Sequence, residues 1–522
     1  MNNQLMAQTQ QSVAHRYAQL EAERLPFLER GRRAAELTVP TLLPQAGTTA
    51  ATTFSTPFQS VGARGVNNLA SKLLLALLPP NAPFYRLTID EQTVQLIAPK
   101  QRGEIEARLS KIERVGMQEI ETTAARVPIY EALRALIVTG NSLLFVPPEG
   151  GVRVFRLDRF VVKRDAMGNV LEVHTKENIS PMMLPMESQV ACGLAGNDTL
   201  EKGVDLYTSC VRRDDRWVIL QECNGVTIPS SMAEVALDKS PFIPLRFIRV
   251  DGEDYGRGYV EEYFGDLASL EALTQAIVEG SAAAAKLLFL VRPNGTTKIQ
   301  ALAKAPNGAF VQGSADDVTT LQLNKQADFR VSQETSRQIT ERLAFAFLLN
   351  TSVQRDAERV TAEEVRFMAQ ELESALGGVY SILSQELQLP FIGLIMNRLE
   401  LQGKIPPMPK GAVKPQIITG LEALGRGQDL NKLASFLKFL QPLGADVIAR
   451  EMNIDDYISR LGASLGIEIE GLVKSPEQKA YEAQMAQQQQ QQMMMAQMAA
   501  NSVERAAPAI ASAAMKPPEQ GA

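Results

Sequence analysis

Gln338-Ile-Thr-Glu-Arg-Leu-Ala-Phe-Ala-Phe-Leu-Leu349 and the residues that follow, Asn350-Thr-Ser-Val-Gln-Arg-Asp-Ala-Glu-Arg359, form the stretch that decides the fold. In the first segment apolar residues occupy almost every side of a helix, which predicts a helix buried among other elements of the protein. The second segment interrupts this pattern and ends in charges of both signs. A helix and then a charged loop are therefore expected in succession.

The helix after this loop is predicted to be unusually long. Thr361-Ala-Glu-Glu364 has the spacing of a capping box, which satisfies orphan amides at a helix start. One apolar face follows at three- and four-residue spacing: Val365, Met368, Leu372, Leu376, Val379, Leu383 and Leu387. The helix reaches roughly 40 Å before Pro390 kinks or ends it. Gly377-Gly378 costs about 1 kcal/mol per glycine relative to alanine, so a bend or close packing is expected there.

Such a pattern more often belongs to an ordinary core helix. The charged loop between two strong helices favours the alternative, in which the loop has a function.

The composition is compatible with either alternative. A chain of 522 residues with 45% hydrophobic and 21% charged residues is typical of a folded soluble protein. No apolar run approaches the roughly 18 residues that span a membrane, and the polar start Met1-Asn-Asn-Gln-Leu5 lacks a signal-peptide core, so a cytosolic protein is expected.

Motifs for metal, redox or nucleotide chemistry are not apparent. Cys192, Cys210 and Cys223 show no CxxC spacing, so we expect free thiols rather than a zinc site or a disulfide framework. In Gly280-Ser-Ala-Ala-Ala-Ala-Lys286-Leu287, alanine precedes and leucine follows the lysine, where a Walker A loop needs glycine and Ser or Thr. ATPase activity is therefore disfavoured, and neither a cofactor nor a metal is expected.

The order of predicted elements indicates a mainly helical protein with inserted antiparallel β regions. Helices are expected at 11–37, 58–78, 104–123 and 128–140, and strands at 84–89, 141–146, 152–157, 160–162 and 170–173. A hairpin pairs 204–211 with 217–223, the β region ends near 242–250, and 178–203 is expected to be loop-like. The fold class is α+β.

Two long helices bracket a second, smaller β region. The first runs from Val260 to Lys286, and the second begins near Ser332. Strands are expected between them at 287–291 and 308–312, so the helices can run antiparallel and hold the β region at one end. A proline-rich linker at 405–415 then leads to helices at 429–443 and 454–465. From Ser475 the chain is rich in glutamine and methionine, which predicts disorder or a loosely associating helix.

Two sets of basic residues are candidates for phosphate contacts. Arg355 and Arg359, with Gln354, lie in the charged loop, and the second set lies in or beside the small β region: Lys298, Lys304, Lys325, Arg330 and Arg337. Each set alone is more often a solvated surface. A net charge of −6 argues against a general nucleic-acid coat, but a protein past which DNA must slide without adhering remains compatible with it.

Several long runs resemble a known family, the portal or head-to-tail connector of short-tailed bacteriophages. The runs are Ser60-Val-Gly-Ala-Arg-Gly-Val-Asn-Asn-Leu-Ala-Ser-Lys-Leu73, Asp254-Tyr-Gly-Arg-Gly-Tyr259, Arg359-Val-Thr-Ala-Glu-Glu364, Gly377-Gly-Val-Tyr-Ser-Ile-Leu-Ser-Gln-Glu-Leu-Gln-Leu-Pro390 and Thr419-Gly-Leu-Glu-Ala-Leu-Gly-Arg-Gly-Gln-Asp429. The likeness extends to about Ser475 and is weaker over 182–197.

The resemblance implies a dodecameric ring without enzymatic activity at one capsid vertex. It implies a channel for packaging and ejecting double-stranded viral DNA, contacts with terminase, capsid, scaffolding and tail adaptor proteins, no membrane, and a location in the virion after assembly in the host cytoplasm. The implied parts are a wing (1–253 and the helix 361–403), a stem (254–286 and 332–350), a clip (287–331), a tunnel loop (351–360) carrying Gln354, Arg355 and Arg359, a crown (404–474) and a tail (475–522). An ATP-dependent packaging enzyme and a scaffolding or adaptor protein without a channel are the competing interpretations.

Overall fold

The structure is a computed structural model that describes most of the chain. It covers residues 12–49, 51–80, 83–90, 99–194, 203–284, 288–321, 326–349, 371–408 apart from 373, 413–418 and parts of 435–495. For residues 99–104, 107, 288, 320, 321 and 326–328 the backbone alone is described. The chain divides into two units, residues 1–428 and 429–522, and each is considered by itself.

Four helices form the start of the first unit, close to their predicted bounds. They are α1 (Val13–Glu36), α2 (Val61–Leu77), α3 (Pro99–Thr122) and α4 (Arg126–Thr139). Gly140 follows α4 in the left-handed conformation, with φ of 77°, as is usual for a glycine just past a helix end, so the helix ends within one residue of its predicted bound. Most of the apolar face of α4 lies in the main core, where Leu133 and Leu136 are fully buried.

A three-stranded antiparallel sheet packs beside α4. Its central strand is β2 (Asn141–Phe145), flanked by β3 (Arg153–Phe155) and β9 (Phe242–Arg246). The first four residues of β2 are buried, which is why this strand has a continuous apolar run at Leu143-Leu144 instead of alternating polarity.

A five-stranded antiparallel sheet forms the rest of the first β region. Its strands follow chain order: β4 (Phe160–Arg164), β5 (Val170–Ile179), β6 (Val204–Arg213), β7 (Arg216–Cys223) and β8 (Val226–Ala236). The predicted hairpin is β6–β7. Sequence reasoning missed β8, which contains Pro229; the strand lies at the sheet edge, where a missing amide donor is tolerated. The loop-like prediction for 178–203 was incomplete, because α5 (Met186–Ala191) lies there.

The helix–β–helix region is present, with one strand at a different place. After the short helix α6 (Tyr259–Glu262) come α7 (Phe264–Ala284), β10 (Leu288–Val291), α8 (Ile299–Lys304), β11 (Val318–Leu321) and α9 (Gln326–Ala346). The strand predicted at 308–312 was wrong: these residues form no strand, and Gly308 lies in a turn with φ of 86°. The partner of β10 is β11, whose Val318-Thr-Thr-Leu321 is rich in β-branched residues.

The long helix bends at the glycine pair and continues through the proline. Gly377 has φ of 58° and forms a turn with Gly378, which confirms the predicted bend. Then follow α10 (Val379–Leu383), a π-helical turn (Ser384–Gln388) and α11 (Leu389–Leu401). Pro390 lies in the first turn of α11, where its missing N–H is tolerated, so it does not end the helix. Residues 379–401 are long and apolar enough to cross a membrane, but 56% of the most apolar window is buried inside the protein, as in a core helix.

Part of the predicted linker is a strand. β12 (Val413–Ile417) pairs antiparallel with β1 (Tyr85–Ile89), with Pro415 opposite Leu87. Pro415 is compatible with pairing because each strand of a two-stranded sheet is an edge. In the second unit, residues 435–440 and 484–495 are helical, and Phe439 is 82% exposed.

Candidate functional site

Helices α7 and α9 form an antiparallel pair, called the stem pair below. Tyr259 lies just before α7, and its hydroxyl donates to the carbonyl of Ala346 at the end of α9, 3.0 Å away. Farther along, Asp266 pairs with Arg342 at 2.9 Å. At the other end Gly280 lies under Phe329, whose ring would be 2.6 Å from a Cβ at this glycine. Numbers that rise on one helix while they fall on the other establish the antiparallel direction that the sequence predicted.

The stem pair leaves large apolar side chains exposed. Within α7 the buried residues are Leu267 and Leu270. The exposed fraction is 50% for Val278, 68% for Val331 and 78% for Phe345. A mainly apolar helix pair that leaves these side chains exposed is a candidate for contact with another protein surface. Much of the apolar surface of the stem pair is therefore not covered by the rest of this chain.

The β10–β11 hairpin and α8 lie in the chain between the two helices of the stem pair, and Asp317 forms several hydrogen bonds there. Its Oδ2 accepts hydrogen bonds from the Thr297 amide (3.1 Å), the Thr297 hydroxyl (3.0 Å) and the Thr296 hydroxyl (3.2 Å). These hydrogen bonds lower the pKa of Asp317, and the bond from the Thr297 hydroxyl contributes most. Phe289 is 62% exposed and Phe310 is fully exposed, so this region also presents apolar surface.

The structure describes four of the predicted basic residues. Lys298 is the N-cap of α8 and Lys304 is its last residue, and both are exposed. Arg330 and Arg337 lie two turns apart on α9 and are exposed as well. The predicted residues Lys325, Gln354, Arg355 and Arg359 lie outside the described residues, as does the capping box at 361–364.

Arg337 is a paired surface charge. Its guanidinium contacts Glu334 at 2.9 Å and Glu341 at 3.0 Å, and the hydrogen bond with Glu334 raises the pKa of Arg337. Its side chain is 63% exposed. Two carboxylates offset its charge, so it is a weaker candidate for a phosphate contact than the pattern alone indicated.

Sequence reasoning did not single out two polar residues of α2 at the end of α9. The amide of Asn68 donates to the carbonyls of Phe347 (3.0 Å) and Leu348 (2.9 Å), and Lys72 contacts the same Leu348 carbonyl at 3.1 Å. The available signal was a lysine on the buried face of an otherwise apolar helix, seven residues after Gly65. In the part of the chain that the structure describes, no cluster of His, Cys, Asp and Glu could hold a metal ion.

Comparison with known proteins identifies the class to which this architecture belongs. The sequence model of a family described as bacteriophage head to tail connecting protein matches residues 10–473. The chain belongs to this family, and the resemblance noted in the sequence is confirmed.

Individual relatives narrow the class to portal proteins. The chain is 43% identical to the portal protein of Escherichia phage T7, over 90% of this chain and 89% of the relative. It is 44% identical to the portal protein of Enterobacteria phage T3, over 89% of this chain and 88% of the relative. Among solved structures, the neck of an empty GTA particle computed with C6 symmetry is similar at 12% identity and a TM-score of 0.34, over 72% of this chain and 86% of that chain.

Proposed function

We propose that this protein assembles into a closed, dodecameric ring at one vertex of a phage capsid. The observation that carries the proposal is the exposed apolar surface of the stem pair, including Phe345, Val331 and Val278. In a ring, one copy covers the surface that the next copy leaves open, and this contact repeats until the ring closes. The family match and the portal relatives support the same arrangement.

Negative-stain images of the purified full-length protein test this proposal. We expect closed rings with a central hole and a single subunit number. Isolated chains or open filaments at micromolar concentration would contradict it. The same images address the scaffolding alternative, because a scaffolding or adaptor protein would show no central channel.

The ring would be the passage through which double-stranded DNA enters and leaves the capsid. In this proposal the loop 351–360 projects into the channel, where Arg355 and Arg359 touch phosphates and Asp356 and Glu358 limit adhesion. Opposite charges within one loop suit DNA that must move, because each contact is weak and exchangeable. Gln354 would add a neutral hydrogen-bonding contact. Lys298, Lys304, Lys325 and Arg330 would contribute in or beside the clip.

Changing Arg355 and Arg359 together to alanine tests this channel role. We expect normal rings and a severalfold change in packaged or retained DNA. The double change Arg212→Ala and Arg213→Ala, at the exposed end of the β6–β7 hairpin, removes equal charge elsewhere and serves as the control. Unaltered packaging and retention with the loop arginines removed would contradict the channel role.

The remaining parts follow from this assignment. The stem pair would line the channel, the β10–β11 region would be the clip, and residues 404–474 would form the crown. Residues 1–253 and 361–403 would form the wing. The assembled ring would contact terminase, tail adaptor, capsid and scaffolding proteins. The ring would assemble in the host cytoplasm and remain in the virion.

We further propose that the protein itself has no enzymatic activity. The sequence at Lys286 lacks the residues that a Walker A loop requires. An assay of ATP hydrolysis by purified rings, with and without DNA, should give the background rate. Hydrolysis that co-purifies with the rings and is lost on changing Lys286 would contradict this proposal.

A further inference from the structure

Helix α9 ends in an unusual way just before residues 350–370. The amide of Leu349 donates to the carbonyl of Ala344 and that of Leu348 to Phe345, the two hydrogen bonds of a Schellman motif. Leu348 occupies the left-handed position of this motif, with φ of 54°, where glycine is the usual residue. A left-handed leucine is held in place by its surroundings.

One face of α2 supplies these surroundings. Gly65 lies against Phe347, whose ring would be 2.6 Å from a Cβ at position 65, so the glycine lets the two helices approach. One turn later, the Asn68 amide donates to the carbonyls of Phe347 and Leu348. Asn68 therefore satisfies two carbonyls that the end of α9 leaves open.

Lys72, one turn farther along the same face, reaches both sides of the 350–370 segment. Its Nζ lies 3.1 Å from the carbonyl of Leu348, before the segment, and 3.2 Å from Oε2 of Glu371, after it. The side chains of Lys72 and Glu371 are 10% and 21% exposed. A lysine this buried is stable when paired, so the contact holds the two flanks at a fixed separation.

We propose that Asn68 and Lys72 are positioning residues that clamp the two described flanks of the 350–370 segment, Leu348 before it and Glu371 after it, and thereby set the distance between these flanks. The clamp rests on the proposed function for the role of the segment, and on the contacts above for its own existence. Lys72 acts on the segment through Leu348 and Glu371, and a positive charge at the C-terminus of α9 is favourable in itself.

Limited trypsin digestion of intact full-length rings tests the clamp, because the segment contains the cleavage sites Arg355, Arg359 and Arg366. The variants are Lys72→Met, which keeps the length of the side chain without its charge, and Glu371→Gln, which leaves Lys72 bound to Leu348. Lys72→Arg is the conservative variant. Lys404→Met is the matched control, since Lys404 pairs with the buried Glu119 at 2.8 Å in another part of the first unit.

We expect cleavage at Arg355, Arg359 or Arg366, located by mass spectrometry, to be at least about fivefold faster in Lys72→Met and Glu371→Gln than in the control. Lys72→Arg should be cleaved at close to the rate of the Lys404→Met control. Equal rates in Glu371→Gln, Lys72→Met and Lys404→Met would overturn the proposal, and Glu371→Gln decides alone if Lys72→Met does not fold.

DNA retention by the same rings separates the clamp from the function proposed for the segment. Faster cleavage together with altered retention supports both. Faster cleavage with unaltered retention supports the clamp and contradicts the channel role of the segment. Unaltered cleavage with altered retention would overturn the clamp.

Discussion

Helices α4 and α7 are both strongly apolar, yet they bury very different shares of their residues. Eight of the 14 residues of α4 are buried within this chain, against two of the 21 residues of α7. Most apolar side chains of α4 are covered within its own chain, although Val127 is 61% exposed, whereas in α7 only Leu267 and Leu270 are buried. Apolar composition indicates how much surface must be covered, but it does not indicate which chain covers it.

The same contrast exists within α9 and its last turn. Phe347 is fully buried against α2 and the tyrosines Tyr259 and Tyr263, with ring centroids 5.6 and 5.8 Å away. Phe345, two residues earlier, is 78% exposed. Phe347 therefore serves the folding of one chain, and Phe345 is available to a second copy.

The largest effect is expected from placing a charge at the exposed residue Phe345. Phe345→Glu should abolish ring formation, because each contact between copies would bury an unpaired carboxylate, which costs on the order of several kcal/mol. Size-exclusion chromatography with light scattering should show single chains. Their far-UV circular dichroism should match that of the unaltered protein.

The control for this change is Met167→Glu. Met167 is 75% exposed at the turn between β4 and β5, so it offers the same gain of charge at a similarly exposed apolar residue. Rings should form as before. Rings formed by Phe345→Glu would show that this face of the stem pair lies outside the contact between copies.

The next largest effect is expected on the stability of the chain, from truncating the buried residue Phe347. Phe347→Ala should destabilise the chain by about 3–5 kcal/mol, because it leaves a cavity between α9 and α2. Phe345→Ala should change the stability of a dissociated chain by no more than about 0.5 kcal/mol. Urea unfolding measures both, and a Met167→Ala chain gives the baseline for an exposed residue. Similar losses at positions 345 and 347 would contradict the assignment of one residue to folding and the other to assembly.

The sequence predicted the helices of the first unit well, because a periodic apolar face is a local signal. Val13, Tyr17, Leu20 and Leu28 follow one side of α1 and are buried as that side. β8 and β12 were missed, because Pro229 and Pro415 argue against a strand unless the strand is known to lie at an edge. An edge position is a property of the assembled sheet and has no local signal.

The site was predictable in outline and not in detail. The antiparallel stem pair follows from two helical patterns with a β region between them. The contact of Lys72 with Leu348 and Glu371 joins residues far apart in the chain, and no spacing predicts it. The same holds for Arg337, whose positive charge suggested a phosphate contact before its two glutamate partners were known.

A smaller effect is expected on acidification, in the β part of the molecule. Glu172 on β5 pairs with Arg16 of α1 and lies 3.0 Å from Nε2 of His174. Burial raises the pKa of Glu172, but the hydrogen bonds from His174 and Arg16 outweigh it and bring the pKa to about 2, from an ordinary value of 4.5. The contact therefore stabilises the fold above pH 4.5 and is lost as the pH falls toward 2. The contribution is on the order of 2–3 kcal/mol.

Urea unfolding from pH 6 to pH 2.5 checks this expectation. The pH-dependent loss should be smaller in Glu172→Gln, which cannot ionise. Because the contact lies within one chain, the loss should be the same in rings and in the dissociated Phe345→Glu chain. A loss seen in rings alone would place the acid-sensitive contact between copies and would weaken the contrast between the two regions.

The smallest effect on stability and DNA retention is expected from changing Arg337, an exposed charged residue of the stem pair. Its two glutamate contacts are exposed to solvent, so Arg337→Ala should leave the stability measured by urea unfolding unchanged. DNA retention should also change less than on removal of Arg355 and Arg359, since Glu334 and Glu341 already offset the charge of Arg337. Retention measured at low and at high salt is the discriminating experiment. A salt-dependent loss in Arg337→Ala as large as that of the loop variant would mean that the ring redirects Arg337 from its glutamates to DNA. The phosphate contacts of the channel would then extend along the stem pair.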